Sequence, residues 1–434
     1  MRYLPLTDAD RAEMLDTIGV DSVDALFEDV PQKVRLDGPV DLPLHKSEME
    51  VERLLTKMSR KNVAASEAPF FVGAGAYKHH IPASVDHLIQ RSEYLTSYTP
   101  YQPEIAQGRL QSLLNFQQMT IDLTGLELAS ASLLDEGTAA AEAMALAKRV
   151  SKNKKSNLFF IADDVHPQTI DLVKTRADLF GFEVHTGPAD DVAELDVFGA
   201  LLQYPGTTGE VRDISDLIAA VQSKKGVVAV AADIMSLVML KSPGEMGADV
   251  VLGSAQRFGV PMGYGGPHAA FFATRDAYKR SLPGRIIGVS QDSRGQPALR
   301  MALQTREQHI RREKANSNIC TAQVLLANIA SFYAVYHGPQ GLKTIANRIH
   351  RLTDILASGL KQKGLALKHA SWFDTLTVLT DNKDEIVERA LKAGINLRTD
   401  LDGMLGVSLD ETTTAADVSA LFDVFLGEGH QLDV

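Results

Sequence analysis

The chain has 434 residues, 45% of them hydrophobic and 23% charged, proportions typical of a globular protein with more than one domain. A net charge of −11 at pH 7 disfavours nucleic-acid binding, which needs a positive surface. No apolar run approaches the ~20 residues needed to cross a bilayer, so no membrane association is predicted. The N-terminus has no signal core, and the single cysteine, Cys320, is expected to be a packed core thiol. We therefore expect a cytoplasmic protein.

Residues 1–60 are predicted to form an N-terminal helical arm. Helices are expected over residues 8–18, 22–27 and 47 to about 60. Ser47 followed by Glu50 is a capping-box pattern that supports the start of the third helix. An arm of this kind seldom has a core of its own, so we expect it to wrap a neighbouring subunit.

Residues 61–314 alternate between short apolar runs and amphipathic helices. Strands are predicted over residues 158–162, 182–185, 199–203, 227–232, 250–253 and 269–273. Most of these runs are apolar throughout, as expected for strands covered on both faces. Helices such as 167–180 and 213–224 fit between them. The alternation predicts a large α/β domain with a mainly parallel sheet.

Residues 315–434 are predicted to form a small C-terminal α+β domain. Helices are expected over residues 318–336, 339–360, 383–393 and 415–425, with strands over 366–368, 375–379, near 395 and over 404–408.

A missing lysine is the most informative feature of the large domain. The apolar strand 227–232 ends in Asp233, and a second strand ends near Ser254, as in the core of pyridoxal-phosphate enzymes. Where those enzymes carry the lysine that holds the cofactor, this chain has Gln256 followed by Arg257. Glutamine cannot form a Schiff base, and arginine stays protonated. Asp233 either pairs with a cofactor ring or caps the segment that follows it.

Gly137 and Thr138 lie at the predicted start of an alanine-rich helix, 139–149. Free backbone N–H groups at such a turn suit an anion such as a cofactor phosphate. The alternative is a plain helix cap without a ligand, and the neighbouring Asp135 and Glu136 disfavour phosphate.

The segment 97–104 is dense in hydroxyl, amide and carboxylate groups between two prolines. A stiff loop with so many polar groups either lines a binding site or forms a surface turn before the helix predicted over 105–123.

Four strings of residues together resemble the glycine cleavage system P-protein family, in the α-subunit branch of its split bacterial form. They are residues 97–108, 135–143, 253–272 and 304–323, and the resemblance extends over essentially the whole chain.

This resemblance implies a fold-type I pyridoxal-phosphate-transferase-like architecture and an α2β2 assembly, in which the β subunit binds the cofactor covalently. Gln256 then occupies the lysine position, and Gly137, Thr138 and Asp233 belong to a degenerate cofactor pocket. The implied reaction decarboxylates glycine as its pyridoxal phosphate imine. The aminomethyl group then passes to the lipoyl group of the H-protein.

The resemblance also implies that Tyr98, Tyr101, Gln102 and Glu104 line the β-subunit cleft from across the interface, and it implies no metal site. Two other hypotheses remain. The first is a self-contained enzyme that uses Lys241, which the turn after it (Ser242-Pro243-Gly244) makes improbable. The second is a non-catalytic scaffold or regulator of a sister enzyme.

Overall fold

A computed structural model of the chain describes residues 6–36, 38, 40–96, 98–263, 266–303, 308–315 and 323–434. Ser97, Cys320 and most of the string 304–323 lie outside the described residues. The chain divides into two compact units, Met1–Val63 and Ala64–Val434.

The first unit contains two α-helices, α1 (Asp8–Ile18) and α2 (Glu48–Ser59), with short 3-10 turns between them. The predicted capping box is confirmed: the Ser47 hydroxyl accepts from the backbone N–H of Glu50, and the Glu50 carboxylate accepts from the backbone N–H of Ser47 at 2.9 Å. None of the described residues of this unit is buried. Within that unit, no described side chain belongs to a hydrophobic core.

The second unit opens with β1 (Phe70–Phe71) and α3 (Ala83–Ile89) and continues as alternating helices and strands. These are α4 (Gln107–Thr124), β2 (Leu128–Ala129), α5 (Glu136–Val150), β3 (Leu158–Ala162), α6 (Pro167–Phe180), β4 (Glu183–Gly187), β5 (Gly199–Tyr204), α7 (Ser215–Ser223), β6 (Val227–Ala232), β7 (Val250–Ser254) and β8 (Ala270–Thr274).

Seven of these strands form one sheet in the order β2-β8-β7-β6-β5-β3-β4. Strands β3 to β7 pair in parallel, whereas β8 and β2 are antiparallel. Every residue of β5, β6 and β8 is buried, because helices cover both faces of the sheet. The predicted mainly parallel sheet is confirmed.

A hairpin of β9 (Ile286–Gln291) and β10 (Pro297–Ala302) follows, which the sequence pattern did not predict. Its strands mix buried and exposed positions without regular alternation, so the strand signal is weak. The turn is held by Asp292, whose carboxylate accepts from the backbone N–H groups of Arg294 and Gln296. A short helix, α8 (Gln308–Arg311), comes next.

The remaining elements are α9 (Gln323–Gln362), β11 (Ala366–Leu367), β12 (Thr375–Leu379), α10 (Lys383–Lys392), β13 (Asn396–Leu397), β14 (Met404–Ser408) and α11 (Ala415–Leu426). Gly338 has non-helical backbone angles (φ 62°, ψ 175°) and divides α9 near the predicted boundary between two helices. Strands β11, β12 and β14 form a three-stranded antiparallel sheet, and β13 pairs in parallel with β1. Phe71 of β1 therefore belongs to the smaller hydrophobic core around this sheet.

Within the described part of the chain, no helix combines the length and apolar character needed to cross a membrane. The parallel strands β5, β6 and β7 all end at one edge of the large sheet, where the residues that precede β12 also approach. The candidate pocket lies at this edge.

Candidate functional site

The carboxyl ends of β6 and β7 border a small cavity. Asp233 follows β6, and Ser254 ends β7. The residues that line the cavity are Gly75, Tyr77, Glu136, His166, Gln203, Ala232, Asp233, Ser254 and Arg257. Its volume is about 10 Å³, which is room for no more than one water molecule. The site where this fold would hold a ligand is therefore filled by side chains.

Arg257 is the group that fills it. Its Nη1 donates to Asp233 Oδ2 at 3.0 Å and to Asp374 Oδ2 at 2.5 Å. The guanidinium also lies over the ring of Tyr77, 4.0 Å from the centroid. Burial alone would lower the pKa of Arg257, but the two carboxylates outweigh it and raise that pKa. A fixed positive charge thus neutralises the carboxylate predicted to pair with a cofactor ring.

Gln256 points away from the cavity and binds backbone groups. Its Oε1 accepts from the backbone N–H of Tyr77 at 3.0 Å, and its Nε2 donates to the Tyr77 carbonyl at 2.9 Å and to the Val260 carbonyl at 3.1 Å. The side-chain amide behaves as an extra peptide group that holds the backbone of the irregular segment around Tyr77. At the position predicted to lack the cofactor lysine, the chain therefore carries a side chain that binds backbone groups.

Two other titratable groups on the cavity wall are shifted towards their neutral forms. Burial, together with the charges of Asp233 and Asp135 and against a hydrogen bond from Thr169, raises the pKa of Glu136 to about 7. Burial, assisted by Arg398, lowers the pKa of His166 to about 4. Neither group faces a space large enough for a substrate.

Helix α5 begins at Glu136, so Gly137 and Thr138 lie in its first turn. The Asp135 carboxylate caps this turn by accepting from the backbone N–H of Thr138 at 2.7 Å. The Thr138 N–H, which was predicted to bind a cofactor phosphate, therefore already donates to a carboxylate.

Pyridoxal phosphate does not fit the residues of this pocket. The cavity is too small, Asp233 is paired with Arg257, and none of the residues lining the cavity is a lysine. Lys241 is exposed and does not line the cavity, which removes the lysine that the self-contained hypothesis requires.

The loop 98–104 borders a different concavity of about 280 Å³. It is lined by Thr99, Pro100, Tyr101, Gln102, Ile105, Ala106 and Arg109, none of which lines the first cavity. Tyr98 is 67% exposed, Tyr101 42% and Ile105 79%. Gln102 and Glu104 are also exposed. This loop therefore presents aromatic and aliphatic surface to solvent.

Hydrogen bonds fix this exposed loop to the scaffold. The Tyr101 hydroxyl accepts from Arg285 Nη2 at 2.7 Å, and the Tyr98 carbonyl accepts from Arg109 Nη1 at 3.1 Å. Gln107 donates to the Pro103 carbonyl at 2.7 Å and exchanges two hydrogen bonds with the backbone of Leu299 in β10. The loop is held in one conformation although it is exposed.

The structure thus separates the predicted site residues into two groups. In the first group, Asp233 lines the cavity, and Gln256, Gly137 and Thr138 are near it in the fold but do not line it. The second group lies on the exposed loop and consists of Tyr98, Tyr101, Gln102 and Glu104. The sequence identified Arg257 only as a non-nucleophile and missed its partners Tyr77 and Asp374. Both are more than 100 residues from Arg257 in the chain, so no local pattern could connect them.

A family model of the glycine cleavage system P-protein matches residues 1–425 of the chain. The chain is 65% identical to glycine dehydrogenase (decarboxylating) 1 of Colwellia psychrerythraea and 61% identical to glycine dehydrogenase (decarboxylating) of Shewanella sediminis, over its full length. In both cases it spans 45% of the relative, so it covers about half the length of these curated proteins.

A crystal structure of glycine decarboxylase (P-protein) in inhibitor-bound form is similar, with 32% identity and a TM-score of 0.86. The match covers 98% of this chain and 99% of the solved chain. Sphingosine-1-phosphate lyase of Burkholderia pseudomallei and glutamate decarboxylase of Lactobacillus brevis, at 12% and 11% identity, share the fold, each with a TM-score of 0.66. The predicted fold-type I architecture is confirmed.

Proposed function

Because the chain belongs to the glycine cleavage system P-protein family, we propose that it is the α subunit of a split glycine decarboxylase. In this proposal the cofactor, pyridoxal phosphate, is bound covalently by a separate β subunit. The complete enzyme releases CO2 from glycine and passes the aminomethyl carbon to the lipoyl group of the H-protein. The cofactor supplies the electron sink for this decarboxylation.

The occupied pocket is the observation that carries this proposal. Arg257 neutralises Asp233, and Gln256 binds the backbone of Tyr77, so this half cannot hold the cofactor itself. A chain with this pocket needs a second half to take part in the family's chemistry. The solved P-protein chain supports a subunit of this length, because the match covers 99% of that solved chain.

The exposed loop supports a contribution across an interface. Tyrosines are enriched in protein–protein contacts because they combine a large apolar area with a polar tip. Tyr98 and Tyr101 expose such surfaces next to a concavity, and the hydrogen bonds described above hold them in place. We therefore keep Tyr98, Tyr101, Gln102 and Glu104 as the residues that line the β-subunit cleft in an α2β2 enzyme.

The N-terminal unit supports a partner contact of its own. Val51, Leu54, Leu55 and Met58 on α2 follow the spacing of one helical face, and all four are exposed. An apolar helical face without a core is stabilised when it packs against another surface. We propose that this arm packs on the β subunit.

Glycine–bicarbonate carbon exchange with lipoylated H-protein tests the proposed function. The chain alone, a candidate β subunit alone and the co-purified pair are compared at equal concentrations. We expect exchange in the pair and none in the chain alone. Exchange by the chain alone would refute the proposal, because its pocket would then have to hold the cofactor.

The alternative is a scaffold that binds a β subunit but contributes no group to its site. The separation of the exposed loop from the occupied pocket keeps this alternative open. Tyr101→Phe and Glu104→Gln in the assembled pair distinguish the two, with Tyr336→Phe, an exposed tyrosine on α9, as the matched control. Lower exchange with intact assembly in the loop variants alone supports the catalytic α subunit. Unchanged exchange in all three variants supports the scaffold.

A further inference from the structure

Two buried arginine side chains connect the seven-stranded part of the second unit with its three-stranded part. One extends from the large sheet to the smaller part, and the other extends from the smaller part to the large sheet. Arg257 follows β7 and donates to Asp374, which precedes β12. Arg398 follows β13 and donates from Nη1 to the Thr207 carbonyl at 2.6 Å and to the Thr207 hydroxyl at 2.8 Å. Each arginine side chain is only 4% exposed, so solvent screens neither contact effectively.

The first crossing ties three elements together. Besides Asp374, Arg257 binds Asp233 after β6 and stacks on Tyr77 between β1 and α3. Asp374 is itself almost fully buried, and its second oxygen accepts from the Thr375 hydroxyl at 2.8 Å. Separating Asp374 from Arg257 would leave a charge without its partner in a dry environment, which is strongly unfavourable.

The second crossing reaches the same cavity through one lining residue, His166. The Thr207 hydroxyl that accepts from Arg398 also bonds to Nδ1 of His166, which lines the cavity. Arg398 is held in place by Asp400, which accepts from its Nε at 2.8 Å. Both crossings therefore converge on the cavity between the two sheets.

We propose that Arg257 and Arg398 form a reciprocal latch that keeps the three-stranded part closed on the large sheet in every state of this chain. In a subunit that binds a ligand at this edge, the ligand itself can favour closure. Here the guanidinium of Arg257 takes the stacking surface of Tyr77 and the charge of Asp233, so closure needs no ligand. The chain is built to hold one shape and not to open and close around a substrate.

Hydrogen exchange measured by mass spectrometry on the full chain tests the latch. Arg257→Met and Arg398→Met remove the charged groups at similar side-chain length. We expect the segments 373–378 and 205–209 to exchange at least about tenfold faster in each variant, because opening becomes easier. The matched control is Arg389→Met, since Arg389 donates to the Val424 and Phe425 carbonyls within the smaller core. That control should accelerate exchange in α10 and α11 only.

Unchanged exchange at 373–378 in folded Arg257→Met would overturn the latch. If that variant does not fold, Arg257→Lys replaces it, because lysine keeps the charge but is shorter and lacks the planar guanidinium that lies over the Tyr77 ring. If residues 373–378 exchange at the same rate in Arg257→Lys as in the unmodified chain, the proposal is also overturned. The latch concerns this chain alone, so its failure would leave the proposed enzymatic role standing.

Discussion

Replacing Gln256 by leucine removes the clamp on Tyr77 at nearly constant volume. Three buried backbone groups then lose a hydrogen bond: the N–H and C=O of Tyr77 and the C=O of Val260. The Tyr77 C=O keeps its contact with His79 Nδ1 at 3.2 Å, so two groups, the Tyr77 N–H and the Val260 C=O, are left unsatisfied. Each such group costs about 1–3 kcal/mol when it is left unsatisfied. Even the lower figure amounts to about 2 kcal/mol for these two groups, which corresponds to exchange on the order of 30-fold faster where opening is local.

Peptide-level hydrogen exchange over residues 73–79 measures this change directly. Gln117→Leu is the matched control, because Gln117 makes a similar clamp on the backbone of Ile287, donating at 3.1 Å and accepting at 2.7 Å. That control should accelerate exchange around Ile287 and leave residues 73–79 unchanged. Unaltered exchange at 73–79 in Gln256→Leu, alongside a clear effect of the control, would refute a stabilising role for Gln256.

Three further predictions follow from burial, backbone geometry and exposure. The pKa of Glu136 is raised from 4.5 to about 7, so the protonated carboxyl stabilises the fold fully below pH 4.5, and this stabilisation is lost as the pH rises through 7. Glu136→Gln should therefore increase the free energy of unfolding at pH 8 by up to about 3 kcal/mol, measured as a higher melting temperature, and should change it little at pH 4.5. Gly209→Ala would place a Cβ 2.1 Å from the Thr375 carbonyl oxygen and should lower the melting temperature far more than Gly295→Ala, which meets no atom within 4 Å at a similar positive φ. Leu55→Ser on the exposed face of α2 should weaken assembly with a β subunit in analytical ultracentrifugation and leave the melting temperature of the chain alone unchanged; equal affinity would refute the arm contact.

The centre of the main sheet could be predicted because strands such as β5, β6 and β8 are buried on both faces. The pattern over 227–232 and the turn residues around it identify β6 to the residue, and the capping box at Ser47 identifies the start of α2. The hairpin of β9 and β10 could not be predicted in the same way, since its exposed positions interrupt the apolar alternation. The pairing of β1 with β13 joins segments more than 300 residues apart, which no local pattern encodes.

For the candidate site, the sequence predicts that Gln256 stands where a cofactor lysine would be, but it does not predict what the Gln256 side chain binds. That prediction rests on a single position of the chain. The contacts of Gln256 with Tyr77 and of Arg257 with Asp374 depend on tertiary packing across separate elements. The roles of Tyr98, Tyr101 and Glu104 stay predictions, because they concern surfaces that this chain exposes.

The arrangement around Arg257 also bears on the evolution of the pocket. Gaining the lysine by Gln256→Lys alone would remove the acceptor for the Tyr77 N–H and add a second cation beside Arg257. Losing Arg257 alone would leave Asp233 and Asp374 close together without a counter-charge. Each single step towards a cofactor-binding pocket is therefore expected to lower the stability of the fold. A lineage that acquires this pair of residues is expected to keep a pocket that does not hold the cofactor.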